Sequence, residues 1–195
     1  KIFEISLLAA LSAALCIGTW AQGRQQDISS SLVRLHIIAV SDEPEEQELK
    51  LRVRDSVLEY LTPMLENAQD PAAAREIIRR ELGSIRTVAQ KSSEGRAVTV
   101  ALSQEYYPTR EYDSFSLPAG RYESLRITLG EGKWHNWWCV VFPPLCVSAA
   151  EQNKALDAMS DDDRALITEA DGYELRFRIV ELWGELMNFI EKSTS

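Results

Sequence analysis

The sequence predicts an α+β fold: a mostly antiparallel sheet with helices packed on it, preceded by an N-terminal signal or anchor helix. Three observations predict it. Short stretches at 32–40, 97–102, 122–129 and 173–179 alternate apolar and polar residues, the period of a half-buried strand. Two longer stretches, at 49–65 and 74–89, repeat apolar residues about every fourth position, the period of a helix. A leading stretch at 5–21, ISLLAALSAALCIGTWA, carries no charge at all.

That leading stretch sits between a secretory h-region and a short membrane span. Residues 1–22 are therefore expected to be a signal peptide or membrane anchor. Thr19-Trp20-Ala21 offers a small-x-small cleavage site, with Trp20 an unusual neighbour, and Leu15 before Cys16 argues against a lipoprotein. The bland alternative is a buried core helix. Residues 23–31 are polar and suit a linker, leaving 32–195 as a single α+β domain.

Within that body, LVRLHIIAV at 32–40 reads as a strand. Ser41, Asp42 and Pro44 then supply capping oxygens and a first-turn proline. The helix they start presents Leu49, Val53, Val57, Leu61 and Leu65 on one face, with Glu46–Lys50 and Glu48–Arg52 as pairs on the wet side. Asp70-Pro71 opens a second helix with a stripe of Ala74, Ile78, Leu82, Ile85 and Ala89, ending by Gly95. A strand at 97–102 follows, then another at 106–112. A turn at 117–120 leads into the strand at 122–129, closed by Gly130-Glu131-Gly132. NWWCVVF at 136–142 is the most apolar strand, and the loop before it fits a hairpin. Pro143-Pro144 halts it. Residues 148–165 read as an acidic helix, 173–179 as a strand, and the spacing turns helical again after Ile179.

Composition excludes some functions. With 21 basic residues against 30 acidic, the net charge is -9, which argues against a general nucleic-acid binder and against adsorption to anionic lipid. Three cysteines and two histidines are too few for a zinc ribbon or an iron–sulfur scaffold, so no metal and no cofactor is expected.

The candidate chemistry is sparse. Cys139 and Cys146 either close a disulfide across Pro143-Pro144 or pack as free thiols; a bridge over so short a loop stabilises by about 2–3 kcal/mol in the chain-entropy account. A cysteine nucleophile would need a base near its sulfur. His135 is four residues from Cys139, about 13 Å along a strand, so His36 would have to be brought in by the fold. The acidic pairs at Glu45-Glu46, at 161–163 and at Glu169 with Asp171 read as solvated faces. Aromatic and proline residues are concentrated instead: Trp134, Trp137, Trp138, Phe142, Pro143 and Pro144 fall close together. Trp137 and Trp138 point to opposite faces of a strand. Either helices cover both faces, or one tryptophan anchors a partner.

Several stretches resemble the stage II sporulation protein R family. They are LHIIA at 35–39 with Ser41-Asp42, LKLRVRDSVL at 49–58, LPAGRYESLRITLGEGKWHNWWCVVFPPLC at 117–146, and YELRFRIVEL at 173–182. The resemblance spans 33–186 and departs from the family at Val40 and at Val147-Ser148. It implies an exported forespore-to-mother-cell signalling protein, not an enzyme, acting in the septal intermembrane space. Its implied partner is a membrane-embedded aspartic protease that processes pro-sigma-E; no nucleic acid or small-molecule substrate is implied. The contact residues expected for that partner are Trp137, Trp138, Phe142, Pro143, Pro144 and Leu145, with His36, Ser41 and Asp42 beside them. The rival reading is an exported cysteine-dependent hydrolase acting on peptide or cell wall.

Overall fold

A computed structural model of the chain describes residues 2–112, 115–132 and 136–145. They form α1 (Ile2–Ser31), β1 (Val33–Ile38), α2 (Pro44–Leu65), α3 (Pro71–Ser92), β2 (Val98–Tyr107), β3 (Arg110–Glu111), β4 (Ser116–Leu117), β5 (Gly120–Leu129) and β6 (Asn136–Phe142). The mixed α+β class is as expected. The helix and strand expected after residue 147 lie outside the described residues, as do Trp134, His135 and Cys146.

These residues divide into two compact units. One comprises residues 2–29 and 106–121. Its α1 is 30 residues long, about 45 Å at the usual helical rise. Ile2, Leu8 and Leu15 on it are 84%, 63% and 55% exposed. It is long and apolar enough to cross a membrane. The polar stretch 23–31, expected as a linker, is helical here and continues α1 without a break. Its Ile28 is buried, and a side chain at Gly120 would collide with Gln25. β3 and β4 pair as a small antiparallel ribbon in which Tyr112 and Phe115 stack with ring centroids 4.5 Å apart.

The other unit, residues 30–105 and 122–145 among those described, carries the main sheet in the order β2-β5-β1-β6. β1 is central because its residues are the most uniformly buried: Val33, Leu35 and Ile37 are all fully enclosed. It runs parallel to β5 and antiparallel to β6. The expected β5–β6 hairpin is therefore not formed: β1 lies between the two strands. An apolar strand gains more from pairing on both edges than from a tight turn, and the chain crosses over the end of β1 instead. Gly130 and Gly132 make that crossing with φ of 60° and 63°, and a Cβ at Gly132 would run into Thr128.

α2 and α3 form an antiparallel pair on one face of the sheet. The levels are set by Ser92 Oγ donating to Ser56 Oγ at 2.7 Å and Tyr60 Oη donating to Glu81 at 2.7 Å. The helical stripe Leu49, Val53, Val57, Leu61 and Leu65 is buried throughout, and so are Ala74, Ile78, Ile85 and Ala89, with Leu82 at the margin. They meet Val33, Leu35, Ile37, Leu125, Ile127 and Leu129 from the sheet. Asp70 caps α3, accepting from the Ala73 N–H at 2.7 Å. The cap of α2 is Glu43 rather than Ser41 or Asp42, and Ser41 Oγ accepts from the Glu43 N–H at 3.3 Å instead. Of the two expected ion pairs on α2, Glu48–Arg52 is present at 3.9 Å, whereas Glu46 bonds Arg96 and Lys50 donates to Gln47 at 2.6 Å.

Truncating Ile37 to Ala in the central strand should cost about 2–5 kcal/mol, against about 1 kcal/mol for Asp70→Ala at the cap. Denaturant midpoints of the two variants check the order.

Candidate functional site

Because a strand alternates its side chains, the residues between Val33, Leu35 and Ile37 face away from the helices. On β1 these are Arg34 and His36, an unusual content for a central strand. Register extends the polar face across the sheet: His36 stands opposite Trp138 on β6 and opposite Arg126 on β5, and Arg34 opposite Ser124. β2 adds Glu105.

His36 is the hub. Its Nδ1 lies 2.9 Å from the Glu105 carboxylate and its Nε2 lies 3.0 Å from Asn136 Oδ1. A ring protonated on both nitrogens donates to both oxygens. A neutral ring donates to one, and the other contact then requires the Asn136 amide to turn its NH2 inward. The second Glu105 oxygen accepts from Arg126 Nη1 at 3.2 Å. Trp138 lies beside the imidazole with ring centroids 5.7 Å apart. Deeper in, the fully buried Arg34 places its guanidinium 4.9 Å over the Tyr122 ring.

Burial pushes the Glu105 carboxyl up, but hydrogen bonds from His36 and Ser124, together with the charges of His36 and Arg126, more than offset it. The carboxyl ends below its ordinary value. Lys50 on α2 is likewise held below its ordinary value: burial lowers it, opposed by the charge of Asp42 and aided by that of Arg54.

The tryptophans do divide between the two faces. Trp137 packs against the helix-covered core with the Arg54 guanidinium 4.9 Å over its ring, while Trp138 joins His36. Phe142 also packs against the core, and Pro143 and Leu145 are buried, with the Leu145 N–H donating to the Pro143 carbonyl at 2.8 Å. Pro144 is half-buried. Ser41 and Asp42 sit beyond the end of β1, and Asp42 is exposed. Of the nine expected contact residues, His36 and Trp138 thus meet on the face away from the helices, and Trp137 and Phe142 pack toward the core.

Glu105, Arg126, Asn136 and Arg34 were not among the expected site residues. Arg34 carries a signal in the sequence, a polar residue in phase with His36 on the apolar β1, whereas Glu105 follows Ser103 and Gln104 in the polar half of β2 and has none. Cys139 is disulfide-bonded, while Cys16 is free. A disulfide sulfur offers no thiolate, and Cys139 stands opposite Leu35 rather than His36. The described geometry therefore gives a cysteine hydrolase no nucleophile beside its base. What it does offer is a charged and aromatic face on the sheet side away from α2 and α3, with His36 held between Glu105 and Asn136.

The family model for stage II sporulation protein R matches residues 29–152. The curated protein named stage II sporulation protein R from Bacillus subtilis (strain 168) is 34% identical over 140 residues. The match covers 70% of this chain and 62% of that relative's length. No solved structure matches the chain.

A depressed carboxyl pKa means the unfolded chain takes up the proton first as pH falls. Glu105 should therefore stabilise the fold above its unfolded value of about 4.3, and lose that contribution as pH drops through its lower folded value. Urea denaturation of wild type and Glu105→Gln should show a stability gap near neutral pH that closes on acidification. A gap independent of pH would contradict this assignment.

Proposed function

The chain belongs to the stage II sporulation protein R family, and from that premise we propose that it is a forespore-to-mother-cell signal that activates the membrane aspartic protease processing pro-sigma-E. The observation that carries this reading is the extent of the family match. It takes in the central sheet, both packed helices and the whole His36–Glu105–Asn136 face, while leaving out most of α1. That extent supports the folded body as the part that does the proposed work. α1 is compatible with a signal or anchor segment, which is the element an exported protein needs.

On this reading the chain makes and breaks no bonds. It binds the extracytoplasmic part of the protease and shifts it toward its active state, which it can do only by binding that state more tightly. The net charge of -9 keeps the body from adhering generally to an anionic bilayer across a narrow gap. Trp138 supplies an aromatic anchor at the edge of the described sheet, and the Glu105–His36–Asn136 chain fixes its surroundings before the partner arrives. Such preorganisation reduces the entropy lost on docking.

Trp138→Ala should leave the fold intact and lower pro-sigma-E cleavage in sporulating cells by about tenfold or more, as an interface anchor does. Trp137→Ala, which opens the core, should lower the amount of folded protein instead. Immunoblots of pro-sigma-E beside blots of the chain itself distinguish the two. Full cleavage with Trp138→Ala at normal abundance would remove this face from the interaction.

A further inference from the structure

The two helices on the sheet carry opposite charge on their outward faces. Core residues of α2 occupy one side, and directly opposite them stand Glu48, Asp55, Glu59 and the capping residue Glu66, all exposed. On α3 the outward side carries Arg79, Arg80, Arg86 and Lys91, also exposed. Only Arg52 on the first stripe and Glu76 on the second break the pattern. Glu59, Glu66, Arg86 and Lys91 form no ion pair among the described residues. The middle of the basic stripe holds Gly83, an exposed helix-interior glycine with nothing within 4 Å of where a Cβ would stand. Glycine costs a helix about 1 kcal/mol there relative to alanine. Nothing among the described residues uses the space it leaves.

We infer that this helical face binds a second copy of the same chain, α2 of each copy lying over α3 of the other. The arrangement follows from the chain's own geometry. Ser56 meets Ser92, and Arg52 meets Glu94 at 2.8 Å, so the antiparallel helices are in known register. A twofold axis running between them and parallel to them preserves those levels. It sets Asp55 near the partner copy's Lys91 position, Glu59 near Arg86, and Glu66 near Arg79 and Arg80. Asp55, Glu59 and Glu66 then each meet a basic residue twice over, as an isologous interface requires, while Glu48 keeps Arg52 of its own helix. The gap at Gly83 lets the opposing helix come close. An anionic membrane fits this face less well, because docking α3 on lipid would bring the adjacent acidic stripe of α2 to the same surface. Exposed ion pairs are individually weak, so the pairing is a reversible one that confinement at a membrane strengthens.

The test uses the full chain in a neutral detergent and sedimentation equilibrium at low and high salt. Wild type should show a two-chain species that salt dissociates. Arg80→Glu with Arg86→Glu should weaken it by about tenfold, and Glu59→Arg with Glu66→Arg similarly. A mixture of the two double variants should recover association, because the reversed charges complement each other. Four results overturn the inference: a wild type that stays a single chain at about 100 μM in low salt; an association that neither double variant changes, as one through α1 would be; a mixture that does not recover; or single chains that instead float with anionic vesicles through α3.

Discussion

The strand β1 imposes one constraint on everything around it: its alternation sends Val33, Leu35 and Ile37 to one side and Arg34 and His36 to the other. The apolar side can be dried only by a helix layer, and α2 and α3 provide it. The polar side must then satisfy a buried arginine and a half-buried histidine within the sheet. Glu105, Ser124, Arg126 and Asn136 are the groups that stand at the right positions on the neighbouring strands. A shift of β1 by one residue would bury Arg34 and His36 among the leucines and isoleucines of the helices, so the register is held from both faces. The same choice places Trp138 beside His36, making their contact a by-product of core packing.

Much of this was legible in the sequence. The stripes of α2 and α3 were readable because helical periodicity over five turns has no other economical explanation, and Asp70-Pro71 marked the start of α3 to the residue. β6 was found at its observed ends because NWWCVVF is a continuous apolar run that Pro143-Pro144 closes. The strand order was not legible. A glycine loop between two apolar strands looks the same whether the strands pair or straddle a third, and only the burial demand of β1 decides. The cap of α2 was misplaced for a related reason: Ser41 and Asp42 both have capping oxygens, but the end of β1 positions Ser41 too early, and Glu43 takes the position without a side-chain bond.

The candidate site was half legible. His36 and Trp138 stood out by residue type, and the resemblance drew attention to their segments. Glu105 did not, since an isolated carboxylate between Gln104 and Tyr106 looks like any solvated charge. Its role appears only when β2 comes into line with β5 and β1. The disulfide state of Cys139 and its place opposite Leu35 likewise depend on the fold rather than on the spacing of cysteines. In physical terms, local periodicity reports which face a residue takes, whereas long-range register reports what it meets there.

On the proposed reading, this chain is a ligand that switches on a protease. The most direct measurement is a reconstitution of the full chain with the membrane aspartic protease and pro-sigma-E in lipid vesicles, followed by the rate of pro-sigma-E cleavage. The account predicts cleavage that rises with added chain, saturates, and depends wholly on the protease's own catalytic aspartates. Cleavage indifferent to the chain, or cleavage by the chain when those aspartates are removed, would contradict it.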